Sequence, residues 1–410
     1  MKAPKLTVFA ALLLAIAAAA ALPAAADGTP EHPAGGEAAL APLYRTQGKA
    51  VPGHYIVRLR QGSSARVLTL QLGVTPDAVY SHALSGFAAT LTPAQLETVR
   101  RSPEVEAVEE DAVFTASTAS TGPMAARVPA ASWGLDRIDQ RALPLDGQFK
   151  VNGTGEGVTA FIVDTGIDYA NSEFGGRARP GVDLVTPGGD GRDCASGTGH
   201  GTHVAGIVGG ATYGVARKVS LVSVRVLDCA GTTSTARLDQ GLDWVAGNFT
   251  APAVLNASLN GPVSATTNNA IDNLADRGVV PVVSAGNAAP GSRPTDACQN
   301  SPGSAKQAVV VGATDKQDQM TDFSNWGPCV RLLAPGQDII SARPGGGPAT
   351  KSGTSQAAPH VTGVAALYRA KNPSATSAAV AGWLDEQSTQ GMLAKAAAGT
   401  PNKLLYTGGL

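Results

Sequence analysis

Residues 158–168 read Val-Thr-Ala-Phe-Ile-Val-Asp-Thr-Gly-Ile-Asp, a β-branched apolar run that ends on an aspartate and a small turn. So short and continuously apolar a run suits a strand buried on both faces, because a half-exposed strand alternates. Runs of the same kind follow at 219–227, 253–259, 279–284 and 308–313. Helical patterns separate them: 234–247 carries Leu238, Leu242 and Val245 on one face, and 267–277 is closed by Gly278. Buried strands alternating with helices predict a doubly wound, mostly parallel α/β sheet. Sites in such sheets lie beyond the carboxyl ends of the strands, where Asp164 falls.

This pattern occupies the chain from about Trp133 onward. Upstream, residues 115–131 (TASTASTGPMAARVPAA) are small, polar and patternless, and read as an exposed linker. Before the linker, about 51–115 form a smaller unit: strands at 52–60, 87–91 and 104–114, with a helix from Thr92-Pro93-Ala94-Gln95 to about Arg101. Threonine, then proline at the first helical position, then glutamine make a capping box. The mixture predicts a small α+β sandwich. At the start, Lys2 and Lys5 precede an apolar stretch over 6–22 and the small residues Ala24, Ala25 and Ala26, the pattern of a secretory signal over 1–26. An exported protein is expected, with a leader over 27–124 and the large domain over 125–410. With the sequence ending at Leu410, no cell-wall anchor or further binding domain is expected.

Composition narrows the function. A net charge of −1 on 410 residues offers no electrostatic footprint for nucleic acid or anionic membrane. At 43% hydrophobic the chain is too apolar for disorder, and its 49 glycines follow no collagen period. Four cysteines, Cys194, Cys229, Cys298 and Cys329, suit two disulfides in an oxidising compartment, with three connectivities open. Sequential pairing would close two medium loops worth about 3–4 kcal/mol each. Their spacing matches no zinc site.

Two further segments stand beside Asp164. Residues 197–206 read GTGHGTHVAG and residues 352–360 read SGTSQAAPH, the latter running into a helix. An aspartate, a histidine and a serine so placed fit nucleophilic acyl transfer: imidazole takes the hydroxyl proton, and carboxylate holds the imidazole tautomer. A helix start at Ser355 favours developing negative charge. A lipase-type α/β-hydrolase would need its nucleophile first in the chain, within G-x-S-x-G; here serine comes last.

The words DTGID, HGTHVAG and SGTSQAAPHV, in that order, resemble the subtilisin-like serine proteases. WGLDRIDQR (133–141), YGVARKVSLVSVRVLD (213–228) and PNKLLY (401–406) place the resemblance in the proteinase K and aqualysin branch. It implies a subtilisin-like α/β fold in which Asp164 orients, His200 is general base and acid, and Ser355 is the nucleophile. The oxyanion-hole asparagine would be Asn287, closing VVSAGN. His203 and His360 are expected to be structural. The substrate would pair with Gly231 and Thr232 on one side and Ser258, Leu259, Asn260 and Gly261 on the other. The pairing Cys194–Cys229 and Cys298–Cys329 is implied as well.

Departures from the family's pattern matter. Asn260 replaces a glycine, which would narrow or polarise the groove; specificity is otherwise expected to be broad with an apolar or aromatic lean. Gln356 replaces the methionine after the nucleophile, so slow inactivation by peroxide is expected. Arg331 replaces an aspartate that helps bind calcium in proteinase K-like chains, so that site is expected to be lost. No cofactor is needed for the chemistry. Structural calcium is expected at Asp136, Asp139, Gln140 and Asp146, with Gln148 nearby, since 136, 139 and 140 share one helical face. Asp190 and Asp193 are a second candidate. The small upstream unit resembles the family's inhibitory propeptide, with the bond cleaved on maturation between about Phe114 and Trp133. The whole reads as a secreted, self-processing, monomeric endopeptidase acting on polypeptides. The rival, a secreted binding protein on an inactive protease fold, predicts a damaged triad, and this triad is complete.

Overall fold

Nine strands build the central sheet, in the spatial order Thr389–Gln390, Lys403–Leu404, Leu332–Pro335, Val309–Thr314, Val279–Ser284, Ala253–Ala257, Thr159–Asp164, Ser220–Arg225 and Ala178–Asp183. All neighbours are parallel except the first pair. The computed structural model describes residues 40–122, 131–289 and 291–410; the signal segment 1–26 and residues 123–130 of the linker lie outside the described residues.

Successive side chains on a strand point to opposite faces, so each buried run feeds two cores. Phe161, Val163, Val222, Val224 and Leu255 pack with Leu238, Leu242 and Val245 of helix Thr235–Asn248 and with Ile271 and Leu274 of helix Ala265–Asp276. Ala160, Ile162, Leu221, Val254 and Val280 pack with Val204 and Val208 of helix His200–Gly209 and with Val361 and Val364 of helix Thr354–Lys371. Helices therefore cover both faces, as the sequence predicts.

Several elements differ from the sequence reading. The run 253–259 is two strands: Ala253–Ala257 stays in the sheet, and Leu259–Pro262 leaves it to form an edge. Strand Ala178–Asp183 gave no signal because it is a half-exposed edge carrying Pro180 and Gly181. In the first unit, helix Ala65–Leu72 went unread, although Ser64 caps its start and Gly73 ends it at φ 61.

The first unit is an antiparallel sheet of Ala78–Tyr80, Gly86–Thr90, Ala50–Leu59 and Val105–Ala116. Helices Ala65–Leu72 and Pro93–Arg101 cover one face around Val57, Leu68, Phe87, Val99 and Val108. The expected capping box is present: Thr92 Oγ1 accepts from the Gln95 N–H (3.3 Å) and Gln95 Oε1 from the Thr92 N–H (3.0 Å). The other face, with Ile56, Tyr80 and Ala88, packs into the same core as helices Thr235–Asn248 and Ala265–Asp276.

Both of those helices begin at the first unit's last strand. Asp111 accepts from the Ala236 N–H (3.0 Å), and Glu109 from the Thr266 N–H (3.1 Å) and hydroxyl (2.7 Å). Carboxylates at helix N-termini satisfy orphan donors and oppose the positive end of the dipole. Asp243 does the reverse, gathering backbone N–H groups of residues 81–84.

Candidate active site

Asp164 ends the strand at which the sheet's strand order reverses, with Ala253–Ala257 on one side and Ser220–Arg225 on the other. That reversal opens the crevice in which such sheets bind ligands. His200 begins the next helix, and its Nδ1 lies 2.8 and 2.9 Å from the two Asp164 oxygens. Both side chains are buried. A proton held on Nδ1 leaves the lone pair on Nε2, as a general base requires.

Ser355 is the second residue of helix Thr354–Lys371, so its N–H is one of the helix's unpaired donors. Its hydroxyl donates to the Ser258 carbonyl (2.9 Å), and His200 Nε2 is buried without a hydrogen-bond partner among the described residues. The Ser355 hydroxyl is thus turned aside from His200, and a rotation about its Cα–Cβ bond is needed to join them.

The segment after Phe114, read as linker, runs through the crevice and pairs as strand on either side of Ser117. Thr115 and Ala116 pair antiparallel with Thr232 on one edge and with Asn260 and Leu259 on the other. The Ala116 N–H donates to the Gly231 carbonyl (2.8 Å) and the Ser117 N–H to the Ser258 carbonyl (3.1 Å). Past Ser117, the Ala119 N–H donates to the Ser352 carbonyl (2.7 Å), and Ser120–Gly122 pairs with Pro348–Ser352. The Ser117 carbonyl oxygen accepts from Asn287 Nδ2 and from the Ser355 N–H (3.2 Å). A Cβ on Gly353 would stand 2.4 Å from that oxygen, so only glycine admits it.

Asn287 has no freedom to turn. Its Oδ1 accepts from both the N–H and the hydroxyl of Thr354 (3.0 Å each), which aims Nδ2 at the Ser117 carbonyl. Beneath the Asp164–His200 pair lies a carboxylate that sequence reasoning assigned elsewhere. Asp193 accepts from the Thr165 hydroxyl (2.8 Å), the Thr202 hydroxyl (2.6 Å) and the Thr202 and Cys194 N–H groups (2.9 Å each). Thr165 in turn accepts from the Gly201 N–H (2.9 Å). Asp193 so ties the end of the Asp164 strand to the first turn of the His200 helix. Burial pushes its carboxyl pKa up, and these hydrogen bonds oppose that shift.

Sequence profiles agree with this layout. That of the subtilase family matches residues 155–405, and that of the I9 peptidase inhibitor matches residues 73–117. The chain belongs to the subtilase family. It is 46% identical over 349 residues to an extracellular serine proteinase of Thermus sp. (strain Rt41A), covering 85% of this chain and 81% of that protein. It is 44% identical over 331 residues to alkaline serine exoprotease A of Vibrio alginolyticus, covering 81% of this chain. The match spans 60% of the length of the Vibrio protein. The crystal structure of a cold-adapted subtilisin-like serine proteinase superposes with a TM-score of 0.63 at 45% identity, covering 67% of this chain and 97% of that one.

Other features of this subtilase can now be placed. Its disulfides join Cys194 to Cys229 and Cys298 to Cys329, the pairing the resemblance implied. His203 Nε2 lies 3.1 Å from the Ala349 carbonyl and His360 Nδ1 2.8 Å from the Gln356 carbonyl. Burial holds His203 well below its ordinary pKa and pushes His360 down to about 4, so both are neutral packing groups. Gln356 is buried, and both its amide atoms lack partners among the described residues. Arg331 pairs with Asp385 (2.7 Å).

The acidic loop is partly gathered. Asp136 Oδ2 accepts from the Gly147 N–H (2.9 Å), Asp139 from the Lys150 N–H (2.5 Å), and Asp146 from the Gln148 N–H (2.9 Å) and Lys150 Nζ (3.0 Å). Gln140 Oε1 accepts from the Asp146 N–H (3.2 Å). Among the described residues, no group of three or more His, Cys, Asp or Glu closes around an ion. Asp136 Oδ1 nevertheless lies buried without a partner, and burial first, then neighbouring carboxylates, raise the pKa values of Asp136 and Asp139. Asp190 and Asp193 do not form a second cation site. Asp193 is spent inward on Thr165 and Thr202, and Asp190 caps its own turn through the Arg192 N–H (3.0 Å). Arg137 is buried in a two-bond pair with Asp318 (2.6 and 2.9 Å).

Proposed function

We propose that this subtilase is a secreted endopeptidase made as a zymogen that cuts itself between Ser117 and Thr118. One observation carries the reading. The Ser117 carbonyl sits between the Asn287 amide and the Ser355 N–H, with chain paired to enzyme backbone on both sides of it. A cleft that holds chain on both sides of the reacting bond suits internal cuts, and backbone pairing suits substrates of varied sequence.

In the proposed reaction, Ser355 rotates off the Ser258 carbonyl and its Oγ attacks the Ser117 carbonyl carbon as His200 Nε2 takes the proton. Asp164 stabilises the imidazolium through Nδ1. Oxyanion charge falls on two donors already in hydrogen-bond contact with that oxygen, so little reorganisation is needed. His200 then protonates the Thr118 nitrogen, which leaves, and water releases Ser117 from the acyl-enzyme. The first unit acts as an intramolecular inhibitor, holding its own last strand in the groove. Export rests on the signal pattern over 1–26; no helix of the described residues is long and apolar enough to cross a membrane.

No metal takes part in these steps. The loop at Asp136, Asp139, Gln140 and Asp146 would suit structural calcium by its chemistry, since Asp136 Oδ1, buried and unpaired among the described residues, and the carboxylates of Asp139 and Asp146 are hard oxygen donors. The ion would neutralise their repulsion in place of Lys150 Nζ and brace the chain after the helix Trp133–Ile138.

Intact mass and N-terminal sequence of the wild type beside Ser355→Ala test the reading. A wild-type product beginning at Thr118, with the variant uncut, is expected. Identical trimming of both would refute self-cleavage, and an uncut wild type would favour an inactive binding protein.

A further inference from the structure

Ser117, which supplies the scissile carbonyl, is P1, and its side chain enters a pocket beside the edge strand Leu259–Pro262. Here that pocket has a polar end wall. Asn260 lies on the edge strand Leu259–Pro262, and its carboxamide packs against Gly286 on the opposite wall. A Cβ placed on Gly286 would come within 3.0 Å of both Asn260 Cγ and Nδ2. The Asn260 side chain therefore crosses the space a large P1 side chain would need.

What does enter is the Ser117 hydroxyl. It donates to Asn260 Oδ1 (2.6 Å) and accepts from the Ser284 hydroxyl (3.1 Å). Ser284 is fully buried and Ser117 is 2% exposed, so this three-member relay is dry. A buried donor and acceptor arranged around a hydroxyl discriminate, because a P1 residue without one leaves Asn260 Oδ1 unpaired and leaves the Ser284 hydroxyl only its longer bond to the Leu259 carbonyl (3.4 Å).

Two residues earlier than Thr115's neighbour Ala116, the groove is shaped the other way. Phe114 is fully buried, and a Cβ on Gly261 would fall 2.5 Å from its ring, so the glycine makes room for an aromatic at P4. Apolar binding energy is collected at P4 and polar selection is made at P1.

We propose that Asn260 is the specificity-determining residue of this enzyme and that, with Ser284, it selects small hydroxyl-bearing P1 residues, serine first. The inference rests on the peptidase reading above and departs from the apolar or aromatic P1 lean that the resemblance implies. It gives the enzyme a substrate class: extended polypeptides with an aromatic residue at P4 and serine at P1.

The test uses the mature enzyme and blocked anilides of Phe-Thr-Ala-Ser, Phe-Thr-Ala-Ala and Phe-Thr-Ala-Phe. Active sites are first counted with a fluorophosphonate, which labels a competent Ser355 whatever the pocket prefers. Expected kcat/KM for serine exceeds that for alanine by about 3- to 10-fold, the value of one hydrogen bond, and that for phenylalanine by at least about tenfold. Asn260→Gly and Asn260→Ala should each reverse the order, with phenylalanine ahead of serine. Ser284→Ala should narrow the preference for serine over alanine without abolishing it, since Asn260 Oδ1 still accepts from the P1 hydroxyl, and should not admit phenylalanine. In the full chain, Ser117→Phe should slow self-cleavage by at least about tenfold without altering the enzyme's own residues. Labelled wild-type enzyme that cleaves the phenylalanine substrate as well as the serine one overturns the pocket inference and leaves the peptidase reading intact. Failure to label overturns the peptidase reading, and the inference with it.

Discussion

Asp243→Ala should free the enzyme from its first unit without touching catalysis. The carboxylate stands on helix Thr235–Asn248 and receives the backbone of residues 81–84. Its Oδ1 accepts from the N–H groups of His82 (2.7 Å), Ala83 (2.6 Å) and Leu84 (3.3 Å), and its Oδ2 from that of Ser81 (3.1 Å). Hydrogen bonds to a charged group contribute about 1.5–3 kcal/mol each. Bonds that share one acceptor do not add, so the two short ones are counted at the low end and the longer ones ignored. The loss is then about 3 kcal/mol, roughly 150-fold in the inhibition constant of the first unit. Asp243→Asn keeps one oxygen for the short bonds and should lose only about tenfold. The assay titrates matured enzyme with residues 40–117 as a separate polypeptide, on a short peptide substrate, for wild type and both variants. Turnover without inhibitor should stay within about twofold of wild type, because Asp243 makes no hydrogen bond to Asp164, His200, Ser355 or Asn287. An inhibition constant within about threefold of wild type would refute the reasoning, as would a parallel fall in kcat/KM.

Other outcomes follow from the same geometry. Asn287→Leu should lower kcat by about 10²–10³, the range established for the matching donor in subtilisin itself, with KM little changed. Thr354→Val, which removes one of the two bonds fixing that amide, should cost about fivefold in kcat alone and almost nothing in the Asn287→Leu background; a full cost in both backgrounds would separate the two residues. His54 bridges Asp111 (2.9 Å) and Asp77 (3.0 Å), and its hydrogen bond to Asp111 first raises its pKa above the ordinary 6.5. A raised pKa gives stabilisation that is complete below pH 6.5 and lost as pH climbs through the raised value. The folding stability of the first unit, to which all three residues belong, should therefore fall with rising pH, and His54→Gln should flatten the profile; an unchanged slope would count against it. Chelation should lower the thermal midpoint, by an amount set by about 2.7 kcal/mol at a hundredfold excess of calcium over its dissociation constant, and Asp136→Asn should abolish that dependence. Peroxide should inactivate the enzyme slowly and Gln356→Met quickly, read as residual activity against time.

The candidate active-site residues were legible because their signals are local. Asp164 ends an apolar strand, His200 and Ser355 each begin a helix, and a motif of a few residues around each carries both its geometry and its family likeness. The three-layer architecture was legible for the same reason: strand and helix periods repeat within a dozen residues. Elements without a period were missed, among them the edge strand Ala178–Asp183, where Pro180 and Gly181 interrupt any pattern. Asp190 and Asp193 looked alike in sequence, a pair of acids in a glycine-rich turn. Only folding sends Asp193 inward to two threonines, leaving Asp190 to cap its own turn.

The remaining assignments depend on partners far away in the chain. Residues 115–122 carry no pattern and read as linker, yet they form strand on both sides of Ser117 because two enzyme edges offer unpaired backbone. Asp243 meets the first unit across 159 to 162 residues, and Asn260 meets Ser117 across 143. The sequence by itself determined which chemistry this chain carries and the class of fold that carries it, since periodicity, caps and motif spacing act over one element. The tertiary structure alone decided which carbonyl lies between Asn287 Nδ2 and the Ser355 N–H, how the first unit is held and which side chain Asn260 meets. Those depend on side chains and strand edges that no local preference brings together, and that meet only once the two cores have formed.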